Sequence, residues 1–249
     1  MDGLSIPTAN NGNNYDLLTI SLAGHIIAVR AKAGKLNRHF FKKYLVETDP
    51  SRIEHTVTIK KNLLNGRPYG NGHPTVFFLI HQDISDWLIT KNVLTMHAVA
   101  IRYNGKAYLF SAPSGTGKST HAQLWKTVFG NDVRIISGDQ PLIRIDENGC
   151  FAFGSIWNGK ERLGSNISAP IGGICLLSRN EENSIAPLSS ADALALISPN
   201  VYIPNEPELS AKALELIRKL VLSVPFYSLR CNMTPDAAIF SKSSIVKDD

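Results

Sequence analysis

The sequence predicts an α/β fold with a mixed, partly antiparallel sheet, and three stretches carry this prediction. A short apolar segment at 106–110 leads through a glycine-bearing loop into helical spacing at 121–125. Two further stretches, 15–30 and 141–153, each read as two short strands joined by a turn, and such hairpins are antiparallel. An all-parallel sheet would need helical crossovers that the sequence after Gln140 does not provide.

Residues 1–90 are predicted to form a β-rich N-terminal subdomain, to which the sequence assigns no chemistry. It begins with a polar, Asn-rich start at 1–14 and a hairpin whose strands, 16–22 and 25–30, join at Ala23-Gly24. The remaining predicted elements are a helix at 35–46, a half-buried strand at 53–59, a loop at 65–74, an apolar strand at 76–80 and a helix at 83–94.

Residues 91–249 are predicted to form a second domain around the loop at 112–120. Its predicted elements are strands at 93–101, 106–110 and 132–136, a hairpin at 141–153, a strand at 170–177, helices at 189–197 and 210–222, a strand at 224–230, and a terminal helix with Thr234 as its N-cap.

The loop reads Ala-Pro-Ser-Gly-Thr-Gly-Lys-Ser-Thr over 112–120, with Ala112 where the strict P-loop pattern has glycine. In a P-loop, glycines let backbone N–H groups approach phosphate oxygens, and the helix that follows adds its positive dipole end. Lys118 supplies a charge for the outer phosphates, and the Ser119 hydroxyl is placed to ligate Mg²⁺. The alternative is a glycine-rich turn without a ligand. We predict that Mg-ATP binds here, through Pro113, Ser114, Gly115, Thr116, Gly117, Lys118, Ser119 and Thr120.

A second chemical position follows the next apolar strand. The run at 132–136 ends at Ser137-Gly138-Asp139, where a carboxylate can hold Mg²⁺ or take a proton from a nucleophile. We expect this strand to lie beside the loop strand, with His97 on the next strand along. A turn-forming aspartate and a buried core histidine are the structural alternatives for Asp139 and His97.

The segment at 154–162 carries two cations, Lys160 and Arg162, about twenty residues after Asp139. Cations on such a loop can neutralise charge on a phosphoryl group during transfer. The alternative is a solvated basic turn.

Composition excludes several classes of function. The chain has 249 residues, 43% of them hydrophobic and 19% charged, which is typical of a globular protein. Its net charge of +5 comes from dispersed Lys and Arg residues, so we expect no nucleic acid partner. Neither a signal peptide nor an apolar run long enough for a membrane span is visible, so the expected compartment is the cytoplasm. The three cysteines match neither a disulfide framework nor a metal site, and we expect buried free thiols.

The stretch from about residue 94 to residue 177 resembles the catalytic domain of the HPr kinase/phosphorylase family, whose P-loop fold is related to phosphoenolpyruvate carboxykinase. Three motifs carry the resemblance: Met-His-Ala at 96–98, Ser-Gly-Thr-Gly-Lys-Ser at 114–119 and Ser-Gly-Asp at 137–139. That family uses an acidic pair where this chain has Gly138-Asp139, so the resemblance maps the catalytic base onto Asp139. It implies a P-loop core of that type with a mixed, partly antiparallel sheet.

The resemblance also implies an ATP- and Mg²⁺-dependent kinase that transfers the γ-phosphoryl group to a hydroxyl, a serine of a peptide or protein being favoured over a small molecule. His97 would then orient Asp139, and Ser119 and Asp139 would hold the metal. Two alternative functions stay open: a nucleotide-binding switch without transfer activity, and decarboxylation of the carboxykinase type. The oligomeric state also stays open, with a homo-oligomer as one possibility. The joint presence of Lys118, Ser119 and Asp139 favours the kinase over the switch, because nucleotide binding alone tolerates loss of Asp139.

Overall fold

The computed structural model describes residues 15–32, 36, 38–59 and 75–246. The polar start predicted at 1–14 and the loop predicted at 65–74 lie outside the described residues. The chain divides into two compact units, Met1–Trp87 and Leu88–Asp249.

The first unit contains a three-stranded sheet in the order β1-β2-β3. Strands β1 (Tyr15–Leu22) and β2 (His25–Lys32) form the predicted hairpin, and Ala23 and Gly24 adopt positive φ angles of 52° and 93° at its turn. Such a pair of left-handed residues matches the right-handed twist of the two strands. Strand β3 (His55–Ile59) pairs with β2 in parallel.

Two predictions near this unit were wrong. Helix α1 (Arg38–Phe41) is much shorter than the helix predicted at 35–46. The strand predicted at 76–80 belongs instead to helix α2 (Thr75–Thr90). A short apolar run does not distinguish the two structures, and here the burial continues at helical spacing through Ile80, Ile84 and Leu88. The helix predicted at 83–94 therefore begins earlier, and it ends before Asn92, whose φ is 60°.

The second unit is built on a nine-stranded mixed sheet within the described residues. Its strands are β4 (Val93–Thr95), β5 (Ala98–Tyr103), β6 (Lys106–Ser111), β7 (Arg134–Ser137), β8 (Leu142–Asp146), β9 (Gly149–Phe153), β10 (Ser168–Arg179), β11 (Ser184–Pro187) and β12 (Phe226–Cys231). Its helices are α3 (Lys118–Phe129), α4 (Ser190–Ile197), α5 (Pro207–Ser223) and α6 (Pro235–Ile245).

The order of these strands is β4-β8-β9-β10-β6-β5-β7, with β12 paired to β10 and β11 paired to β12. Strand β6 is parallel to β10 and antiparallel to β5, and β7 is antiparallel to β5. The mixed, partly antiparallel sheet predicted from the sequence is confirmed. The expectation that the strand before Asp139 lies beside β6 was wrong, because β5 lies between β6 and β7.

Side chains alternate between the two faces of this sheet. Leu109 belongs to a core that includes buried residues of α4 and α5, whereas its neighbours Tyr108 and Phe110 belong to a core that includes Trp125 of α3 and residues of α6. This period-two alternation places helices on both faces, which is why the central strands are apolar throughout.

The C-terminal helix follows Thr234, as predicted, but the Thr234 side chain makes no capping hydrogen bond. Instead, Asn232 Oδ1 accepts hydrogen bonds from the backbone N–H and the hydroxyl of Thr234, at 3.1 and 2.8 Å. All three cysteines are buried free thiols, as predicted. Among the described residues, none of the helices has the length and apolar character needed to cross a membrane.

Candidate active site

The loop at 112–117 joins strand β6 to helix α3 at one edge of the sheet. Gly115 and Gly117 have φ angles of +79° and +122°, and a Cβ atom at either position would meet nothing within 4 Å. Glycine is therefore required here by backbone conformation and not by space. Gly117 precedes the helix without a side-chain cap, so the first N–H groups of α3 are left for another acceptor. Such a helix start attracts anions.

Lys118 begins α3, and only 7% of its surface is exposed. Its ammonium group donates hydrogen bonds to the carbonyl oxygens of Ala112, at 2.9 Å, and Pro113, at 3.3 Å. Burial lowers the pKa of Lys118, while the negative charge of Asp139 acts in the opposite direction. The ammonium group therefore lies over its own loop and within the electrostatic reach of Asp139.

Sequence reasoning missed Arg179, which holds the same loop from the end of β10. Its guanidinium donates to the carbonyl oxygens of Thr116, from Nε at 3.0 Å, and Gly115, from Nη2 at 2.6 Å. The predicted strand at 170–177 ended two residues too early to include it. No local signal in the sequence pointed to Arg179, because its position follows from the parallel pairing of β10 with β6, which places the carboxyl ends of both strands at the same sheet edge.

His97 and Asp139 meet at this edge. The Nε2 atom of His97 lies 3.4 Å from Oδ1 of Asp139, and about one third of each side chain is exposed. Two hydrogen bonds to backbone carbonyl oxygens position these residues. Ala98 N donates to Asp139 O at 2.9 Å, and the Ser111 hydroxyl donates to His97 O at 2.9 Å. The second bond ties His97 to the last residue of β6, directly before the loop.

The segment at 154–164 packs against the residues around Asp139. The side-chain oxygen of Asn158 accepts a hydrogen bond from Gly138 N at 3.2 Å, and its amide donates to Ser155 O at 2.6 Å. Trp157 O accepts a hydrogen bond from Gln140 N at 3.1 Å. These bonds lie on both sides of Asp139, so the segment is held where the strand ends.

The packing of the segment at 154–164 explains why position 138 is a glycine. A Cβ atom there would lie 2.5 Å from the carbonyl oxygen of Leu163 and 3.0 Å from that of Asn158. Real Cβ atoms do not approach oxygen this closely, so the packed segment excludes a side chain at this position. The site therefore has a single carboxylate where the resembled family has an acidic pair.

Lys160 and Arg162 are both exposed on this segment. Lys160 follows Gly159, where an added Cβ would lie 3.2 Å from the Cβ of Asp139. The backbone at Arg162 has a positive φ of 51°. The structure thus brings the backbone of this segment to Asp139 and leaves both cationic side chains at the surface.

Two oxygen donors suit a magnesium ion. Ser119 and Asp139 are each partly exposed, and hydroxyl and carboxylate oxygens are hard ligands of the kind that Mg²⁺ prefers. Among the described residues, no group of three or more His, Cys, Asp or Glu side chains could hold a metal on its own. By their chemistry, these two oxygen donors fit an ion that keeps several water or phosphate ligands, as Mg²⁺ does.

Behind the loop, His121 forms a buried cluster with two partners from α3 and α6. The indole N–H of Trp125 donates to His121 Nε2 at 3.2 Å, and Ser241 Oγ lies 3.1 Å from the same nitrogen. Burial lowers the pKa of His121 to about 4. His121 thus supports the start of α3 without contributing charge.

No family model and no curated protein sequence matches the chain. Among solved structures, the HPr(Ser) kinase/phosphatase from Coxiella burnetii is similar over 60% of this chain and 86% of its own, with 12% sequence identity and a TM-score of 0.35. A likeness at this level is distant.

Proposed function

We propose that this protein is a kinase that transfers the γ-phosphoryl group of Mg-ATP to a hydroxyl, with a serine of a peptide or protein as the favoured acceptor. The observation that carries the proposal is the position of Asp139. Oδ1 of this partly exposed carboxylate lies 3.4 Å from Nε2 of His97. Its negative charge also opposes the lowering of the Lys118 pKa that burial causes at the start of α3. The loop that we propose to bind phosphate and the carboxylate that we propose as proton acceptor therefore lie at the same end of the sheet.

In this proposal, residues 113–120 act as a P-loop. The N–H groups around Gly115 and Gly117 and the start of α3 bind the β- and γ-phosphates. The ammonium group of Lys118 leaves its two carbonyl partners to meet the outer phosphates. The bound Mg²⁺, held by Ser119 and Asp139, would neutralise charge on the β- and γ-phosphate oxygens.

The acceptor hydroxyl attacks the γ-phosphorus in line with the leaving oxygen, and Asp139 takes the hydroxyl proton. A new P–O bond forms to the acceptor, the bond from the γ-phosphorus to the bridging oxygen breaks, and ADP leaves. His97 keeps the Asp139 carboxylate in the orientation that this proton transfer requires. Lys160 or Arg162, now at the surface, would move in to neutralise charge on the transferred group.

The partners that follow from this proposal are a nucleotide and a hydroxyl-bearing acceptor, with neither nucleic acid nor membrane involved. The cytoplasm, where ATP is abundant, would be the compartment, and a homo-oligomer is compatible with the proposal.

The experiment that tests the proposal is transfer from γ-labelled ATP to a panel of serine-containing peptides, free serine and sugars, with products identified by mass spectrometry. We expect labelled phosphoserine with at least one peptide, and we expect the Asp139→Asn variant to lose most of this transfer. A wild-type protein that binds ATP tightly but labels no acceptor in the panel would contradict the kinase and favour the nucleotide-binding switch.

A further inference from the structure

The turn at Asn158-Gly159 lies against the side chain of Asp139. Gly159 has a φ of +67°, which favours glycine, and a Cβ atom added there would lie 3.2 Å from the Cβ of Asp139 and 3.8 Å from its Oδ2. At the other carboxylate oxygen, Oδ1, the Nε2 atom of His97 lies 3.4 Å away. The carboxylate therefore has an imidazole near one oxygen and the backbone of Gly159 near the other.

His97 by itself does not fix this carboxylate. An N–H···O hydrogen bond usually spans about 2.7–3.2 Å, so the separation of 3.4 Å between Nε2 and Oδ1 is long for one. About one third of the Asp139 side chain is exposed, so the protein interior does not enclose it either. A base that must come within hydrogen-bond reach of an acceptor proton needs a further restraint.

The further restraint acts through the backbone on both sides of Asp139. Gly138 N donates a hydrogen bond to Oδ1 of Asn158 at 3.2 Å, and Gln140 N donates to Trp157 O at 3.1 Å. The two amides that flank the carboxylate residue are thus bonded to consecutive residues of one segment. Because the backbone determines where a side chain begins, these two bonds locate the carboxylate.

Asparagine suits position 158 because its side-chain amide carries both an acceptor and a donor. While Oδ1 accepts from Gly138 N, Nδ2 donates to the carbonyl oxygen of Ser155 at 2.6 Å. Gly164 leaves room for this side chain, because a Cβ atom added at position 164 would collide with Oδ1 of Asn158. The orientation of the amide is therefore fixed by both of its hydrogen bonds.

We propose that the turn at 158–159 is a positioning element for Asp139. Asn158 locates the backbone that carries the carboxylate, and Gly159 limits how far the carboxylate can swing away from His97. The inference rests on the proposed function, in which Asp139 takes the proton of the acceptor hydroxyl. It adds two residues that sequence analysis did not identify as site residues, and both act through Asp139.

A matched pair of glycine substitutions tests the contact of Gly159. Gly105, in the turn between β5 and β6, has a similar φ of +76°, but a Cβ atom added there would meet nothing within 4 Å. Both Gly159→Ala and Gly105→Ala therefore strain the backbone, whereas only Gly159→Ala pushes a methyl group against Asp139.

Transfer from γ-labelled ATP is measured with the peptide that the wild type labels most strongly. We expect Gly159→Ala to lower kcat about 10- to 100-fold and to keep the KM for ATP within about twofold of the wild type, because it misplaces the base without touching the loop at 112–117. Gly105→Ala should keep the wild-type kcat and KM.

A second set of variants tests the hydrogen bond from Gly138 to Asn158. Asn158→Ala should lower kcat about tenfold at an unchanged KM for ATP, and Asn148→Ala, in the exposed turn between β8 and β9, should change neither. Gly164→Ala should lower kcat to a similar extent, because it displaces the Asn158 side chain. Since both changes remove the same contact, the double variant should lose no more than either single variant. Losses that multiply would overturn the inference.

Hydrogen exchange gives a readout that needs no acceptor. In the nucleotide-free protein, the amides of Gly138 and Gln140 should exchange faster in Asn158→Ala than in the wild type, and no faster in Asn148→Ala. Mass spectrometry of peptic peptides that cover 138–140 measures this difference. Unchanged exchange in Asn158→Ala, or faster exchange with a wild-type kcat, would overturn the inference, because Asn158 would then not restrain the base or would only stabilise the fold.

Failure of this inference is distinguishable from failure of the proposed function. If the wild type transfers phosphoryl groups and both Gly159→Ala and Asn158→Ala match its kcat, the turn does not position Asp139, while the kinase stands. If the wild type labels no acceptor, the proposed function fails, and the role of the turn in transfer fails with it. The two substitutions are independent, so either one decides the inference if the other variant does not fold.

Discussion

The imidazole of His97 lies 3.4 Å from the carboxylate of Asp139. Asp139 follows β7 and His97 precedes β5, so the antiparallel pairing of these strands brings together residues that are 42 positions apart in the chain.

The Asp139→Asn variant should keep ATP binding nearly unchanged and lose most of the phosphoryl transfer. An amide is nearly isosteric with the carboxylate and keeps an oxygen that can ligate Mg²⁺, but it cannot accept the proton. A general base typically contributes about 10²- to 10⁴-fold in rate. Binding would be measured by calorimetry and transfer with γ-labelled ATP. Asp146→Asn is the matched control, since Asp146 pairs with Arg144 on β8. Transfer by Asp139→Asn within a few-fold of the wild type would remove Asp139 from the mechanism.

The His97→Ala variant should lose less transfer activity than Asp139→Asn does. We expect a loss of about tenfold, because the His97 side chain only orients the base. Because His97 acts through Asp139, we expect kcat to fall while the KM for ATP stays constant. His97→Gln should recover part of the rate by donating a hydrogen bond from its amide. If His97→Ala abolished transfer and Asp139→Asn did not, the two roles would be reversed.

Lys118→Ala should weaken nucleotide binding by about 10- to 100-fold, because a hydrogen bond to a charged group contributes about 1.5–3 kcal/mol. The variant also leaves the carbonyl oxygens of Ala112 and Pro113 without the ammonium donor. Lys126→Ala, an exposed lysine further along α3, is the control for a general change in charge. Wild-type affinity and turnover in Lys118→Ala would contradict a P-loop at 113–120.

Gly138→Ala should destabilise the protein by about 1–3 kcal/mol, because the new Cβ would lie 2.5 Å from the carbonyl oxygen of Leu163. The free energy of unfolding, measured in urea, gives the cost. Gly138→Asp should be at least as unstable, so it should not create a working acidic pair beside Asp139. If the Gly138→Asp protein were as stable as the wild type, the segment at 154–164 would be able to shift and make room for a side chain at position 138.

The stability of the protein should fall as the pH falls from about 6.5 to about 4, in part because of His121. Burial lowers its pKa in the folded protein to about 4, against an ordinary value of 6.5. The unfolded chain therefore binds a proton in this interval that the folded protein does not, and stability is lost as the pH decreases. The shift corresponds to about 3 kcal/mol at most.

This pH dependence is measured by urea unfolding at a series of pH values, comparing the wild type with His121→Gln. The variant should be less stable at pH 7, where it loses the packing of the imidazole, but its stability should decline less steeply toward pH 4. Parallel curves for the two proteins would show that His121 is not the titrating group.

The local backbone structure could be predicted from the sequence because it depends on residues that are neighbours along the chain. The glycines at 115 and 117, the apolar segment before them and the helical spacing after them sufficed to place β6, the loop and the start of α3. The hairpin at 15–30 was predicted for the same reason, since a turn of two residues between alternating strands specifies its own pairing. Where the local signal was ambiguous, as in the apolar run at 76–80, the prediction failed.

The relationships that make the site depend on pairing between distant segments. The resemblance implied that His97 orients Asp139, but the strand order that brings them together was decided only by the tertiary structure. The insertion of β5 between β6 and β7 brought His97 to Asp139, and the parallel pairing of β10 with β6 brought Arg179 to the loop. Likewise, the carbonyl of Leu163 explains why position 138 is glycine. The physical reason is that strand order and side-chain packing follow from burying both faces of the whole sheet, whereas a sequence motif records only the conformational needs of its own few residues.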